Sequence, residues 1–361
     1  CAVKYGSTKD YVLDAVIVLA DGSITTLAGN EAVIGSEGTL AVICELTLKL
    51  VDKPKADAIL LLPFMDTESC IKAAATVIGT GCAPAVVEYM DTDMVEFSGN
   101  VTGNPVFPVE MDGERVAATL MAVLEDEDDD LVMEQMEAIA ELAEEMECLD
   151  ILVGDTTTMK RDMWAAHDAF HTSMESGAKN SFEYNITVPA ENIAEMVEWV
   201  KAHAGEKGMK AMAYAHVGTG GMHIHAASDA GRDEFKAALT ELSAAVYEKC
   251  ASLGGDVRGE YGIGYAKVPF FGEKARGEFA AVKAKNTQSR KGGRLMLKIL
   301  CCVKQVPDVD QMRMDPETGN LIRAGVPAIL NPQDANALSA AMKVKETYGG
   351  EITLITMGPP N

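Results

Sequence analysis

The chain has 361 residues, 48% hydrophobic and 24% charged, which gives length for two or three domains and apolar material for their cores. With 31 Lys and Arg against 55 Asp and Glu, the formal net charge is −24; so acidic a surface repels phosphate backbones and argues against nucleic acid as a partner. Apolar runs such as Ala58–Pro63 are far shorter than the roughly 20 residues that cross a bilayer, so no membrane span is expected.

No basic stretch leads into an apolar run at the start, so no signal peptide is read and a cytoplasmic location is expected. The cysteines (Cys1, Cys44, Cys70, Cys82, Cys148, Cys250, Cys301 and Cys302) include no Cys-x-x-Cys pair. They read as reduced, buried thiols of a cytosolic protein rather than as ligands of an iron–sulfur cluster. Charge is unevenly spread: residues 295–361 carry net −1, residues 286–294 carry +3, and residues 1–285 carry −26. The tail is therefore expected to be a separate unit behind a basic linker.

In chain order, residues 11–20 form a β-rich run closed by Asp21-Gly22. Val33-Ile34 enters the Gly35-Ser36-Glu37-Gly38-Thr39-Leu40 loop, and a strand follows over Ala41–Leu50. Residues 53–57 read as a boundary. A strand over Ala58–Leu62 precedes a helix near Thr67, capped by Asp66 or Thr67. Strands are expected over Ala85–Met90 and Leu120–Leu124. The acidic run Glu125–Asp130 reads as a solvated turn ahead of a helix over Leu131–Met146, because a helix N-terminus favours anions. A strand over 181–188 leads through Pro189 into a helix over Ile193–Ala204. Lys210–His216 and Met222–Ala226 read as paired strands around a Gly-rich turn, before a helix over Asp233–Leu253. This mixture without a sustained βαβ repeat predicts an α+β fold, with helices on one face of an antiparallel sheet. In the tail, Leu297–Val303 and Glu351–Met357 read as buried strands, Arg313–Ile322 as a hairpin, and Asn331–Asp334 as the cap of a helix to about Tyr348. That is the opening of a parallel α/β unit.

Chemistry concentrates in His216-Val217-Gly218-Thr219-Gly220-Gly221-Met222-His223-Ile224-His225. Three of six histidines fall within ten residues. Across a tight turn His216 and His223 can face each other, and His223 shares a strand face with His225. Imidazole is the commonest metal ligand, though polar strand packing explains the pattern equally well. Glu260, in Arg258-Gly259-Glu260-Tyr261-Gly262-Ile263-Gly264, is a third ligand candidate; the plainer reading is a Gly-rich turn. Two histidines and a glutamate with open positions suit Zn²⁺, Mn²⁺ or Fe²⁺. In the Gly35–Leu40 loop, Gly35 and Gly38 free backbone N–H groups for an anionic or flat ligand, and Ser36 and Thr39 add hydroxyls; the alternative is an ordinary inter-strand loop.

Taken in order, Lys4–Leu13 (Lys-Tyr-Gly-Ser-Thr-Lys-Asp-Tyr-Val-Leu), Ile34–Leu40, His216-Val217-Gly218 with His223, and Gly259–Gly264 resemble the FAD-linked oxidases of the glycolate oxidase and D-lactate dehydrogenase type. The resemblance covers residues 1 to about 285. Residues 295–361, through Leu297–Asp308, Asn331–Asp334 and Met357-Gly358-Pro359, resemble the start of an electron-transfer flavoprotein β subunit.

The resemblance implies the C-terminal part of a PCMH-type FAD-binding domain over 1–55 and a ferredoxin-like cap holding substrate and metal over 56–285. A linker over 286–294 and an incomplete α/β lobe over 295–361 complete the arrangement. It implies FAD contacts at Tyr5, Gly6, Thr8, Gly35, Ser36, Glu37, Gly38, Thr39, Leu40, Ile43 and Gly262, and a divalent metal (Zn, Fe or Mn) on His216, His223 and Glu260. Tyr261 stands where many relatives carry a histidine, His225 where they often carry Asn or Pro, and His167 where some carry a carboxylate-binding Arg. Tyr261 and His225 are then the candidate catalytic bases. The implied reaction oxidises a small D-2-hydroxy acid to the 2-oxo acid and passes electrons to electron-transfer flavoprotein subunits. The same resemblance implies a pyrophosphate-binding half upstream of Cys1, so the chain reads as a truncated, fused fragment expected to bind FAD weakly or not at all. The competing reading is a non-catalytic acidic interaction module with no bound flavin.

Overall fold

The structure is a computed structural model that describes residues 2–19, 21–142, 145–267, 270, 298–307, 313–314, 321–322, 328–348 and 351–356. The chain divides into two units, Cys1–Asn286 and Thr287–Asn361.

In the first unit, a short helix α1 (Ala2–Tyr5) precedes a three-stranded antiparallel sheet of β1 (Val12–Leu19), β2 (Ile24–Thr26) and β3 (Ala41–Leu48), in the order β2-β1-β3. Alternation along β1 places Ala15 and Ile17 in a small core with Leu27, Val33 and Ala41. The Gly35–Leu40 loop enters β3 with Gly35 and Gly38 at positive φ.

The body of the unit is a seven-stranded antiparallel sheet. Its first members are β4 (Ala56–Phe64) and, after helix α2 (Thr67–Gly79), β5 (Val86–Asp91). Helix α3 (Thr92–Thr102) and a two-residue ribbon, β6 (Glu110–Met111) with β7 (Glu114–Arg115), lead to β8 (Ala118–Asp126). Then come α4 (Asp129–Ala140), β9 (Leu152–Gly154), α5 (Thr157–Gly177), β10 (Asn180–Thr187), α6 (Ile193–Glu206), β11 (Lys210–His216), β12 (Gly221–Ser228) and α7 (Arg232–Ser252), with a last turn α8 (Gly264–Lys267). The strand order is β10-β12-β11-β5-β8-β4-β9. The run β4-α2-β5-β8-α4-β9 has the ferredoxin-like arrangement, its strands lying first, third and second outward from β9's neighbour. The run β10-α6-β11-β12-α7 repeats that order and abuts the first through β11 and β5.

Local chemistry fixes the helix starts. Asp66 accepts a hydrogen bond from Ser69 N at 2.7 Å, Asp91 from Met94 N at 2.7 Å, Asp128 from Asp130 N at 2.9 Å and Thr156 from Met159 N at 3.2 Å. Helices cover both faces of the sheet rather than one. Ala58, Leu60, Leu62, Leu120, Ala122, Ala213 and Ile224 face α2, α4, α6 and α7. The intervening Ile59, Leu61, Met121, Val123, Met212 and Tyr214 face α3 and α5. The expectation of one covered face failed because α3 and α5 lay in stretches read as connections. Helix α4 also ends at Ala140, short of Met146, which sits in a turn.

In the second unit β13 (Lys298–Cys302) pairs in parallel with β18 (Glu351–Ile355), and α9 (Pro332–Tyr348) packs on both. Antiparallel pairs join β14 (Gln305–Pro307) to β17 (Ala328–Leu330) and β15 (Arg313–Met314) to β16 (Leu321–Ile322). The 286–294 linker, the 315–320 turn and Gly358-Pro359 lie outside the described residues. Among the described residues no helix is long and apolar enough to cross a membrane.

Candidate functional site

The β11–β12 hairpin builds the centre of the site. Its register sets His223 opposite Tyr214 and His216 opposite Gly221. Gly221 leaves His216 free of an opposing side chain, the Tyr214 ring stacks on that of His223 with centroids 4.5 Å apart, and the two histidines' Nε2 atoms meet 3.0 Å apart. Each ring is held from behind by a carboxylate. His216 Nδ1 lies 2.8 and 2.7 Å from the two oxygens of Glu88 on β5. His223 Nδ1 lies 2.6 Å from Glu183 Oε1 on β10. Glu88 and His223 are buried. A carboxylate can only accept, so both Nδ1 atoms carry protons and both Nε2 lone pairs point at the same space.

Glu260 closes the third side, its two oxygens 3.5 Å from His216 Nε2 and His223 Nε2. Asn185 on β10 positions it: Oδ1 accepts from Glu260 N at 2.6 Å and from Tyr261 N at 3.3 Å. Gly259 has φ +56 and passes so close to Asn185 that a Cβ would sit 2.1 Å from Oδ1. Only glycine permits this approach. Ligand atoms of His216, His223 and Glu260 all fall within 4.8 Å of one another.

The electrostatics follow. Burial alone would lower the His223 pKa, but hydrogen bonds to Glu183 and Glu260 reverse this and lift it to about 9. The His223 bond holds Glu260 below the usual carboxylate range. Glu88 is also held low, its burial outweighed by hydrogen bonds to His167 and His216. Two facing lone pairs ringed by carboxylates need a cation between them. A proton on His223 meets that need, and a divalent metal would meet it with better-matched chemistry. The donor set fits such a metal.

A second tier stands behind the first. Helix α5 presents His167 and His171 one turn apart, with His167 Nε2 3.7 Å from Glu88 Oε2 and His171 Nδ1 2.9 Å from Glu183 Oε2. Two His–carboxylate–His rows therefore run side by side from α5 to the facing Nε2 atoms. Residue-type reasoning missed Glu88, Glu183, Asn185 and the role of α5. The signals were present: a lone acid inside each apolar strand, and apolar residues at Met163, Ala166, Phe170 and Met174 in helical spacing.

The other candidates fall into place unevenly. Gly6 and Thr8 line a cavity of about 730 Å³ together with Glu88, Trp164, His167, His216 and Glu260. The Gly35–Leu40 loop reaches the same neighbourhood through Glu37, whose Oε2 accepts from Ile263 N at 2.8 Å. Gly262, at φ +73, leaves room for that carboxylate, which a Cβ would meet at 2.5 Å. Ser36 Oγ is buried without a partner, while Thr39 donates to Ser36 O at 2.6 Å. Leu40 packs on the small N-terminal core, and Ile43 is exposed on β3. Tyr5 donates its hydroxyl to Glu125, which pushes its pKa up to about 12. Tyr261 is 64% exposed, with its ring 5.9 Å from that of His223. His225 is 2% exposed and does not line the cavity; burial pushes it down to about 4.

Comparison with known proteins agrees with this architecture. A D-lactate dehydrogenase of Anaerostipes hadrus is 32% identical over 75% of this chain and 60% of its own length, so the chain spans about 60% of that relative. At the C-terminus, the caffeyl-CoA reductase-Etf complex subunit CarD of Acetobacterium woodii is 57% identical over 65 residues, 18% of this chain and 25% of CarD. Substrate-bound p-cresol methylhydroxylase shares the fold, with a TM-score of 0.60 at 13% identity over 77% of this chain and 63% of that one. Residues 318–361 match the electron transfer flavoprotein domain. Residues 53–285 match the C-terminal domain of FAD linked oxidases, and the chain belongs to that family.

Proposed function

We propose that the chain is part of an FAD-dependent oxidoreductase that converts a small D-2-hydroxy acid to the 2-oxo acid and delivers the electrons to an electron-transfer flavoprotein. The observation that carries this reading is the pair of Nε2 atoms 3.0 Å apart, each imidazole backed by a carboxylate, with Glu260 beside them. The similarity to a D-lactate dehydrogenase and to electron-transfer flavoprotein sequences supports it.

In this reading His216, His223 and Glu260 hold a divalent metal, and the Gly35–Leu40 and Gly259–Gly264 loops form one wall of the flavin site. The metal would acidify the substrate hydroxyl, and the flavin would take the Cα hydride. Glu88 and Glu183 keep the Nδ1 protons in place, so both imidazoles present lone pairs inward. Asn185 fixes the backbone of Glu260 and Tyr261. Tyr261, exposed beside His223, is the better placed of the two candidate bases, but burial and the charges of Glu183 and Glu260 raise its pKa, so it would accept the proton only as the phenolate. His225 has no open path to the cavity and serves as the second candidate.

The test is to supply the purified chain with FAD and a divalent metal, add D-lactate or glycolate anaerobically, and follow the flavin absorbance. Bleaching that disappears in His216→Ala supports the proposal. Bound flavin that no 2-hydroxy acid bleaches would contradict the substrate class, and a chain that binds no flavin would favour the acidic interaction module.

A further inference from the structure

Beside the first set of donors stands a second group, joined to the His216–His223–Glu260 set through Glu183. His171 lies on α5, Glu183 on β10 and His225 on β12, and one ligand atom from each falls within 4.8 Å of the others. We propose that His171, Glu183 and His225 hold a second divalent cation of the kind that imidazole and carboxylate select, Zn²⁺, Fe²⁺ or Mn²⁺.

The first support is unmet bonding. His171 Nδ1 and His225 Nε2 are both buried without a hydrogen-bond partner. The large majority of buried side-chain polar atoms have one, and two orphans in one cluster need an explanation. His171 Nδ1 and Glu183 Oε2 are 2.9 Å apart yet out of alignment for an N–H···O bond. Close approach without alignment is what two groups show when both are directed at a third atom. In a tetrahedral zinc site with bonds near 2.0 Å, neighbouring donors stand about 3.3 Å apart. Separations up to 4.8 Å close to that value with small side-chain movements.

The second support is the surrounding shell. His171 Nε2 lies 3.5 Å from Glu175 Oε1, one turn along the same helix, so the ring has an orienting carboxylate behind it. The His171 side chain is 44% exposed, which gives an ion a route from solvent. His225 is packed near parallel to Tyr214, with ring centroids 6.0 Å apart, which limits its rotation.

Glu183 links the two sites, because Oε1 accepts from His223 Nδ1 at 2.6 Å while Oε2 faces His171. A cation on Oε2 draws charge from the carboxylate that orients His223. Occupancy of either site therefore lowers affinity at the other by the same factor. The proposal does not depend on the reaction proposed above: an inactive chain can still take up this ion.

The experiment is a Co²⁺ titration of the chelator-stripped full chain, read by visible absorbance and by metal content after gel filtration. Two equivalents per chain are expected in the parent. His171→Ala, a change on a half-exposed helical position where alanine keeps the helix, is expected to leave one, as is His225→Gln. His216→Ala should also leave one, with the spectrum of the other site. A parent that takes a single equivalent, lost in His216→Ala and kept in His171→Ala, would overturn the proposal. So would a second equivalent indifferent to both His171→Ala and His225→Gln.

Discussion

The two faces of the seven-stranded sheet carry different tasks on the same strands. Along β12, Met222, Ile224 and Ala226 enter the core under α2, α4, α6 and α7, whereas His223 and His225 point to the α5 side. Along β10, Tyr184 and Ile186 alternate in the same way with Glu183 and Asn185. Buried carboxylates occur at the edges of both layers, with different partners. Asp91 accepts from Met94 N at 2.7 Å and Ala213 N at 2.8 Å and pairs with Lys201 at 3.2 Å. Glu88 and Glu183 hold imidazoles whose far nitrogens end in an open space. A buried carboxylate whose partners are backbone and ammonium fixes the fold, and one whose partner is an imidazole fixes a ligand. Burying either without partners would cost several kcal/mol.

That contrast can be broken most forcefully at Asp91. Asp91→Ala leaves the Met94 and Ala213 N–H groups without their acceptor and Lys201 with Asp93 as its remaining carboxylate, and about 3–5 kcal/mol of stability should be lost in urea unfolding. Metal uptake by the protein that remains folded should not change. Ile224→Ala, between His223 and His225 but on the opposite face, should cost about 2–5 kcal/mol by leaving a cavity, again with metal binding retained. Loss of metal with intact stability in either variant would erase the distinction between the faces.

On the other face the expected signature is pH dependence. Burial holds His225 at about 4, below its ordinary 6.5, with the charges of His171 and His223 adding to the effect and Glu183 opposing it. The folded chain thus binds fewer protons than the unfolded chain between those values. Stability is full above about pH 6.5 and falls as the pH drops toward 4, by about 3 kcal/mol in metal-stripped protein. Thermal melts of His225→Leu should lack that contribution; an unchanged acid slope would sink the assignment. Smallest in energy is Glu88→Gln. It keeps the volume but weakens the acceptor behind His216, so metal affinity should fall 10–100-fold while the unfolding midpoint stays nearly constant. Isothermal titration would show it.

Much of this was legible from residue order. The Asp66 cap, the existence of β4, though not its limits, and the His216–His223 hairpin follow from local rules, because turn and capping chemistry and short apolar runs act within a few residues. Helix α5 was not read, since Lys160, Arg161, Asp162 and Asp168 interrupt its apolar face and draw attention from Met163, Phe170 and Met174. With α5 missing, nothing set His167 beside Glu88 or His171 beside Glu183. Glu88 and Glu183 were invisible for another reason: a single acid in a strand acquires meaning only when the topology sets β5 and β10 beside the β11–β12 hairpin, and those neighbours come from distant sequence. The FAD-side loops were legible as motifs, but the Glu37–Ile263 contact that joins them was not.

The central claim is that His216, His223 and Glu260 hold one divalent metal through two Nε2 atoms and a carboxylate. X-ray absorption at the zinc edge tests it directly on a zinc-loaded His171→Ala chain, in which the second cluster is broken. The account predicts one tightly held zinc with two nitrogen neighbours at about 2.0–2.1 Å and oxygen neighbours at about 2.0–2.2 Å. Zinc that dialyses away, or a shell without imidazole scattering, would contradict it.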